Sequence, residues 1–388
     1  MNTVTPDEFS LVQGGPLLQL LIRSHLATDG LELLKRRIVF FVLLTWLPLC
    51  LLSASSGQLL NTLNIPFLYD LETHIRFLIA LPLLLVAEIV VHQRIKLIVQ
   101  QFIKRNIITD DIKPEFDACI AAALRLRNSI WLEIALIGLV IGFHFLWTEV
   151  GTLDTTVWYA VGIASKHQLS LAGYWLLYVS LPIWQFLLVR WLFRIFIWTY
   201  FLWKVAKLNL HLVCTHPDKA GGLGFLAGSA AAFMPLTLSL GTLLSAIIAQ
   251  RIFYEGEKLL DFKPEIAAAV VFVLLLILGP LCVFFGHLSK TKREGLMRYD
   301  CLASQYVIEF ERKWLQGGTD EALVGSGDIQ SLADLNNSLE TIRAMRMLPF
   351  NKQTVLQITA TVLLPVLPLS LTLISLEELA QKLIGILL

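Results

Sequence analysis

Charge is scarce in this sequence. Asp, Glu, Lys and Arg together make up 16% of the 388 residues, while hydrophobic residues make up 56%. Soluble domains run near 25% charged, so the shortage excludes water as the main solvent of most of the chain. Neither sign dominates: 31 Lys and Arg face 30 Asp and Glu, a formal charge of +1, which gives no electrostatic footing for a nucleic-acid partner. Cysteine is sparse as well. Cys50, Cys119, Cys214, Cys282 and Cys301 have no CxxC spacing, which excludes a cysteine metal knot and argues against a disulfide framework. No Lys or Arg precedes Arg23, so the basic start of a secretory signal is missing and insertion is expected to rely on the first apolar span. HExxH, GxxxxGK[ST] and GxGxxG are absent, and neither a metal nor a cofactor is expected.

Long apolar runs are what the chain has instead. A spanning helix needs about 20 mostly apolar residues. Seven segments qualify: 38–55, 75–99, 130–147, 171–203, 225–249, 266–286 and 355–374. Cytoplasmic loops retain basic residues during insertion, and 23 of the 31 Lys and Arg fall on one side if the N-terminus is cytoplasmic. Only Lys166, Arg251, Lys258, Lys263 and Lys382 then lie outside. The expected fold is therefore an all-α polytopic bundle of about seven membrane helices with the N-terminus inside. Its parts are a cytoplasmic N-terminal amphipathic segment (1–37), a transmembrane domain (38–287) with a cytoplasmic hairpin extension (94–128), a small helical cytoplasmic appendage (288–352), and a last span with an interfacial tail (353–388). In the appendage, Asp328 is the expected helix N-cap. Six of the seven spans contain proline (Pro48, Pro82, Pro182, Pro235, Pro280, Pro365 and Pro368), and each proline can kink its helix. No internal repeat is evident. Trp175, Trp184, Trp191, Trp198 and Trp203 recur at nearly heptad spacing, which points to a face for lipid or another subunit.

An ionisable group in mid-membrane costs roughly 2.5 to 3.5 kcal/mol and rarely survives without a partner or a task. Glu88 and His92 sit four apart in the second span, about 18 and 24 Å deeper than Arg76 at 1.5 Å per residue. Glu133 lies one turn into the third span, Arg190 and Arg194 are four apart in the fourth, and His287 ends the sixth. All are expected at one depth in the inner half. One reading is a water-reachable polar vestibule; the other is a buried network that only fixes packing. A second feature is the loop His216-Pro217-Asp218-Lys219-Ala220-Gly221-Gly222-Leu223-Gly224. Its glycines precede a helix start, where free amides favour an anion, so His216, Asp218, Lys219, Gly221, Gly222 and Gly224 form a candidate anion-binding loop.

That nonapeptide, the string Gly327-Asp328-Ile329-Gln330-Ser331-Leu332-Ala333-Asp334-Leu335 and Met345-Arg346-Met347-Leu348-Pro349-Phe350 resemble uncharacterised bacterial inner-membrane proteins. The resemblance runs from about the fourth span to the tail. It implies a bacterial plasma membrane and brings no activity with it. From the residues themselves the leading expectation is an oligomeric channel or transport-type protein, partnered by the bilayer, by copies of itself and by an ion, small solute or phosphate-bearing ligand. A membrane-embedded enzyme acting on a lipid-linked or phosphorylated substrate, and a sensor or scaffold, are the alternatives.

Overall fold

The structure, a computed structural model, describes residues 9–14, 33–60, 65–150, 158–163, 166–317 and 325–373. The expected interfacial tail and most of the N-terminal segment lie outside these residues. The described chain is almost wholly helical, apart from one short hairpin, β1 (Ala160–Ile163) against β2 (Lys166–Leu169). Five helical runs are long and apolar enough to cross a membrane: Leu34–Ser55, Leu71–Lys104, Leu171–Val205, Met234–Tyr254 and Leu259–Trp314. A sixth is added if Lys352–Leu363 and Leu367–Leu373, bent by 60°, form one span. The remaining expected span is a 21-residue helix, Ile130–Val150, whose side chains are described as far as Gly142. Outward-facing side chains on these helices are apolar and exposed, among them Trp131, Ile134, Val271, Phe272, Leu275 and Leu356. Water would make that arrangement costly, whereas lipid does not.

Prolines set where the helices break. In the first run, α1 (Leu34–Thr45) gives way to α2 (Leu47–Ser55) because Pro48 has no N–H for the Leu44 carbonyl. The Trp175 indole donates to that carbonyl instead (3.2 Å), and the Ser180 hydroxyl donates to the Thr45 carbonyl (2.7 Å). The second run starts at α3 (Leu71–Ile75), capped by Asp70, which accepts from the Thr73 amide at 3.1 Å. It passes through a π turn (Arg76–Ala80) into α4 (Leu81–Lys104). After α5 (Lys113–Arg127), α6 (Ile130–Val150) and the hairpin, the construction recurs. Ser170 caps α7 (Leu171–Trp175), a π turn follows (Leu176–Ser180), and α8 (Leu181–Val205) begins Leu-Pro as α4 does. In each turn the leucine amide, Leu81 or Leu181, reaches back five residues to the carbonyl of Arg76 or Leu176. Caps, π turns and Leu-Pro starts thus correspond across 100 positions. This repeat of backbone design was not evident in the sequence, because few side chains besides Leu-Pro are shared.

Further along, Pro235 separates the short α9 (Gly228–Ala232) from α10 (Met234–Tyr254), so the expected span from 225 starts nine residues later. Pro280 turns α11 (Lys263–Leu278) through a 3-10 segment (Gly279–Phe284) into α12 (Phe285–Trp314) without ending the helical run. The next helix, α13 (Gly327–Arg343), packs along α12. Ser326, not Asp328, occupies its N-cap; Asp328 lies in the first turn and accepts from Lys313 Nζ (2.9 Å) and Trp314 Nε1 (3.0 Å), tying the two helices together. The tryptophan row of α8 also differs from expectation. Trp191 and Trp198 are fully buried, Trp191 donating to the Leu84 carbonyl at 3.1 Å, because α8 is wrapped by α5 and α6 and meets α4.

Helix α10 approaches α14 (Lys352–Leu363) backbone to backbone. A Cβ added at Gly241 would lie 2.4 Å from the Val362 carbonyl oxygen, and Ser245 Oγ donates to the Pro365 carbonyl at 2.6 Å. Small residues allow such contact between membrane helices. Gly241→Ala is therefore expected to destabilise the protein by about 1 to 3 kcal/mol, although alanine is the better helix former. Gly228→Ala, whose new Cβ would meet nothing nearer than 3.7 Å, is expected to be neutral or slightly stabilising. Unfolding in mixed detergent–SDS micelles compares the two, and equal midpoints would contradict the close-packing argument.

Candidate functional site

Glu88 occupies the buried face of α4 among Leu84, Leu85, Ala87 and Val91, and is itself 2% exposed. A lone carboxylate cannot stay ionised in such surroundings, so partners are required. Three guanidinium groups supply them. Arg194 Nη2 donates to Glu88 Oε1 at 2.7 Å, Arg37 Nη2 donates to Oε2, and Arg190 Nη1 lies 3.9 Å from Oε1. Arg190 Nη2 is in turn 3.8 Å from Glu133 Oε1. The spacing of four between Arg190 and Arg194 puts both on one face of α8, and the Arg194 guanidinium also lies over the Trp191 ring, 4.7 Å from its centre. Helices α1, α4, α6 and α8 therefore meet in one ionic cluster.

Among the described residues, Arg37, Arg190 and Arg194 pair with Glu88 and Glu133. Arg37 Nε and Nη1 are buried without an acceptor, and among the described residues Arg190 makes ion pairs but no hydrogen bond. Beside the cluster lies a narrow cleft of about 10 Å³, room for one water molecule, whose polar lining is Arg127, Glu133, Arg190 and Arg194. Phe193 and Ile197 form its apolar wall, and Leu11 and Gly14 close one side.

The segment around Leu11 is held firmly. Phe9 packs its ring on Phe201 (4.8 Å between centres) and Trp198 (6.4 Å). Ser10 Oγ is 2.8 Å from His92 Nδ1, and Arg127 Nη1 donates to the Ser10 carbonyl at 2.6 Å. Burial pulls the Arg127 guanidinium down to about 10, which leaves it cationic at neutral pH.

Of the residues singled out from the sequence, the structure brings together Glu88, Glu133, Arg190 and Arg194. His92 is one helical turn from Glu88 but bonds to Ser10 instead. His287 donates from Nε2 to the Ala206 carbonyl (2.5 Å), clipping α12 to the end of α8. In the sequence, Arg37 and Arg127 stand out only as loop charges. The signal for Arg37 was faint: it is the last of three consecutive basic residues, on the face that α1 turns toward α4.

The glycine loop is the second candidate. Lys219, Gly221 and Gly222 take φ values of 54°, 63° and 97°, which curl the chain so that successive amides point inward. An anion does sit there, and it is the loop's own. Asp218 Oδ1 accepts from the amides of Ala220 (2.8 Å) and Gly222 (3.1 Å), and Oδ2 accepts from Gly224 (2.8 Å). A Cβ at Gly224 would lie 2.9 Å from Oδ2, which explains the glycine. His216 Nδ1 lies 2.9 Å from Asp218 Oδ1 and 3.2 Å from the Asp218 amide, so it donates to the first when protonated and accepts from the second when neutral. Arg346 Nη2 donates to the Asp218 carbonyl (2.8 Å), and the Arg346 amide donates to the Lys219 carbonyl (2.7 Å), fastening the loop to the chain after α13.

Burial alone would raise the Asp218 carboxyl, but the amides of Ala220, Gly224 and Gly222, with His216, outweigh it and hold the group below the usual carboxylate range. A carboxyl lowered in the folded state contributes stability above its unfolded pKa and loses it as the pH falls through the folded value. Asp218→Ala is thus expected to cost about 3 kcal/mol at neutral pH, because three amides lose a charged acceptor. That deficit should shrink on acidification below the carboxylate range. Unfolding midpoints of both proteins across that pH interval check it, and a pH-independent difference would contradict it.

Among the described residues no group of three or more His, Cys, Asp or Glu side chains is placed to hold a metal ion. Compared with protein-family models, curated proteins and solved structures, the chain matches none, so its function is argued from this geometry.

Proposed function

We propose that this chain is a seven-span protein of a bacterial inner membrane, with its N-terminus in the cytoplasm. It works as an oligomeric channel or transport-type protein, and its cytoplasm-facing vestibule is the cleft over the arginine–glutamate cluster. The observation that carries the reading is that cleft: four charged side chains from three helices line an opening directly beside a buried ionic cluster. Groups that cost so much to bury seldom gather at an opening for packing alone. The basic residues of the loops support the orientation, since Lys104, Arg105, Lys204, Lys207, Lys219, Lys290, Lys292 and Arg293 cluster at the end where α4 and α8 finish and α12 begins. An exposed apolar stripe on α6 (Ile130, Trp131, Ile134, Ile137, Leu139 and Ile141) is available to lipid or to a second copy. The reading as an enzyme with a phosphate-holding glycine loop has less support, because Asp218 already engages those amides.

Purified protein reconstituted in liposomes is expected to pass small ions or solutes, and Arg190→Gln should lower that flux at least tenfold. Wild-type liposomes as tight as empty ones across a broad panel of anions, cations and neutral solutes would overturn the proposal.

A further inference from the structure

We propose that residues 9–14 are a strap across the cytoplasmic mouth of the bundle, and that a proton taken up by His92 releases it. This rests on reading the cleft as the vestibule of the protein, and it adds what opens that vestibule.

The strap fills space that a solute would need. Leu11 and Gly14 close one side of the cleft, and with them in place the opening has room for one water molecule. Phe9, Leu11 and Val12 are buried, and the Phe9 ring lies on Trp198 and Phe201 of α8. Apolar contact thus holds the segment to one helix. Ser10 ties it to two others, since its carbonyl accepts from Arg127 Nη1 of α5 (2.6 Å) and its hydroxyl meets His92 Nδ1 of α4 (2.8 Å). A segment that served only to fill a groove would need no buried hydroxyl opposite an imidazole, because burying a polar group costs stability unless a partner is met.

The hydrogen bonds at Ser10 fix the state of His92. A serine hydroxyl has two acceptor positions and one hydrogen. Ser10 Oγ accepts from the amides of Val12 (3.1 Å) and Gln13 (2.9 Å), so its own hydrogen is what reaches His92 Nδ1. The imidazole therefore accepts, and a doubly protonated ring has no acceptor to offer. Once charged, it would present Nδ1–H to an oxygen whose two acceptor positions are taken. One of the three bonds at Ser10 then has to break, and a half-buried group loses its partner.

The surroundings oppose the charge as well. Lys96, one turn further along α4, and Arg127 of α5 are the charged groups that bear on the imidazole, and both are cations. Glu88, one turn before it, is engaged through both oxygens by Arg37 of α1 and Arg194 of α8. Residues 9–14 carry no charge of their own. A cation formed at His92 is therefore relieved by water, which reaches the Nδ1 edge when Ser10 moves off it. A contact that suits the neutral ring better than the charged one must loosen on protonation. Arg127 stays cationic throughout and does not respond, so His92 is the hold that titrates.

The test uses full-length protein with 4-fluorophenylalanine in place of Phe9, because the fluorine signal of a ring packed on Trp198 and Phe201 differs from that of a ring in water. As the pH falls from about 8 to about 5, the range in which an imidazole takes its proton, the ratio of released to packed strap is expected to rise about tenfold. His92→Gln, whose side-chain oxygen can still accept from Ser10 but takes no proton, should keep the strap packed across the whole range. A wild type that shows the packed signal at every pH overturns the inference, as does a His92→Gln protein that responds as the wild type does. Liposome flux followed over the same range separates the strap from the reading of the cleft. Release without flux would keep the switch and remove the vestibule, whereas flux that takes no account of release would keep transport and remove its gate.

Discussion

Glu88→Ala is expected to cost about 3 to 5 kcal/mol of stability, the range for removing one partner of a buried ion pair. The reason is what remains. Arg37 and Arg194 would lose the acceptors they now engage directly, and Arg190 would keep only Glu133. Among the described residues, three guanidinium groups at 1%, 7% and 3% exposure would then share a single carboxylate. Glu88→Gln should lie between alanine and wild type, since an amide oxygen still accepts a hydrogen bond but brings no charge. Unfolding in mixed micelles measures the series. An alanine variant as stable as wild type would mean that the arginines reach water or lipid headgroups instead of depending on Glu88.

Much of the framework could be read from the sequence, because membrane helices must be apolar along their length and proline acts through a local rule. Runs centred on Leu34–Ser55, Leu71–Lys104 and Leu171–Val205 follow directly from hydropathy. The fourth starts at Leu171 as expected, but the second does not start at 75, since Asp70 caps it at Leu71 and a cap is a single residue against a window of twenty. Depth arithmetic was enough to bring Glu88, Glu133, Arg190 and Arg194 to one level. It could not supply Arg37, because the rule that assigns basic residues to cytoplasmic loops makes no distinction between Arg36, which is exposed, and Arg37, which is buried one position later. The difference is which side of α1 meets α4, a tertiary fact. Phe9 to Val12 was likewise illegible: four residues are too few for any periodicity, yet all four are buried. In the glycine loop the sequence indicated an anion cradle and left open what fills it. Asp218, two to six residues before the amides it accepts from, was itself one of the candidates and is the anion found there.

The combined replacement Arg37→Met, Glu88→Leu and Arg194→Met separates packing from function more sharply than any single change. It removes two cations and one anion, leaving Arg190 opposite Glu133 as a balanced pair. Buried ionic groups replaced by apolar side chains of similar volume commonly leave a protein as stable as before, or more so by about 1 to 4 kcal/mol, because desolvation of the charges is relieved. The triple variant is therefore expected to recover the stability that Glu88→Ala loses and to unfold at or above the wild-type midpoint. Flux should nevertheless fall at least tenfold, since the charged groups beside the proposed vestibule are gone. Should the triple variant keep flux at wild-type level, the cluster would be helix cement and the vestibule reading would fall. Should it instead be as unstable as Glu88→Ala, the cluster would owe its stability to the geometry of α1, α4 and α8 around the charges, and not to charge compensation at Glu88.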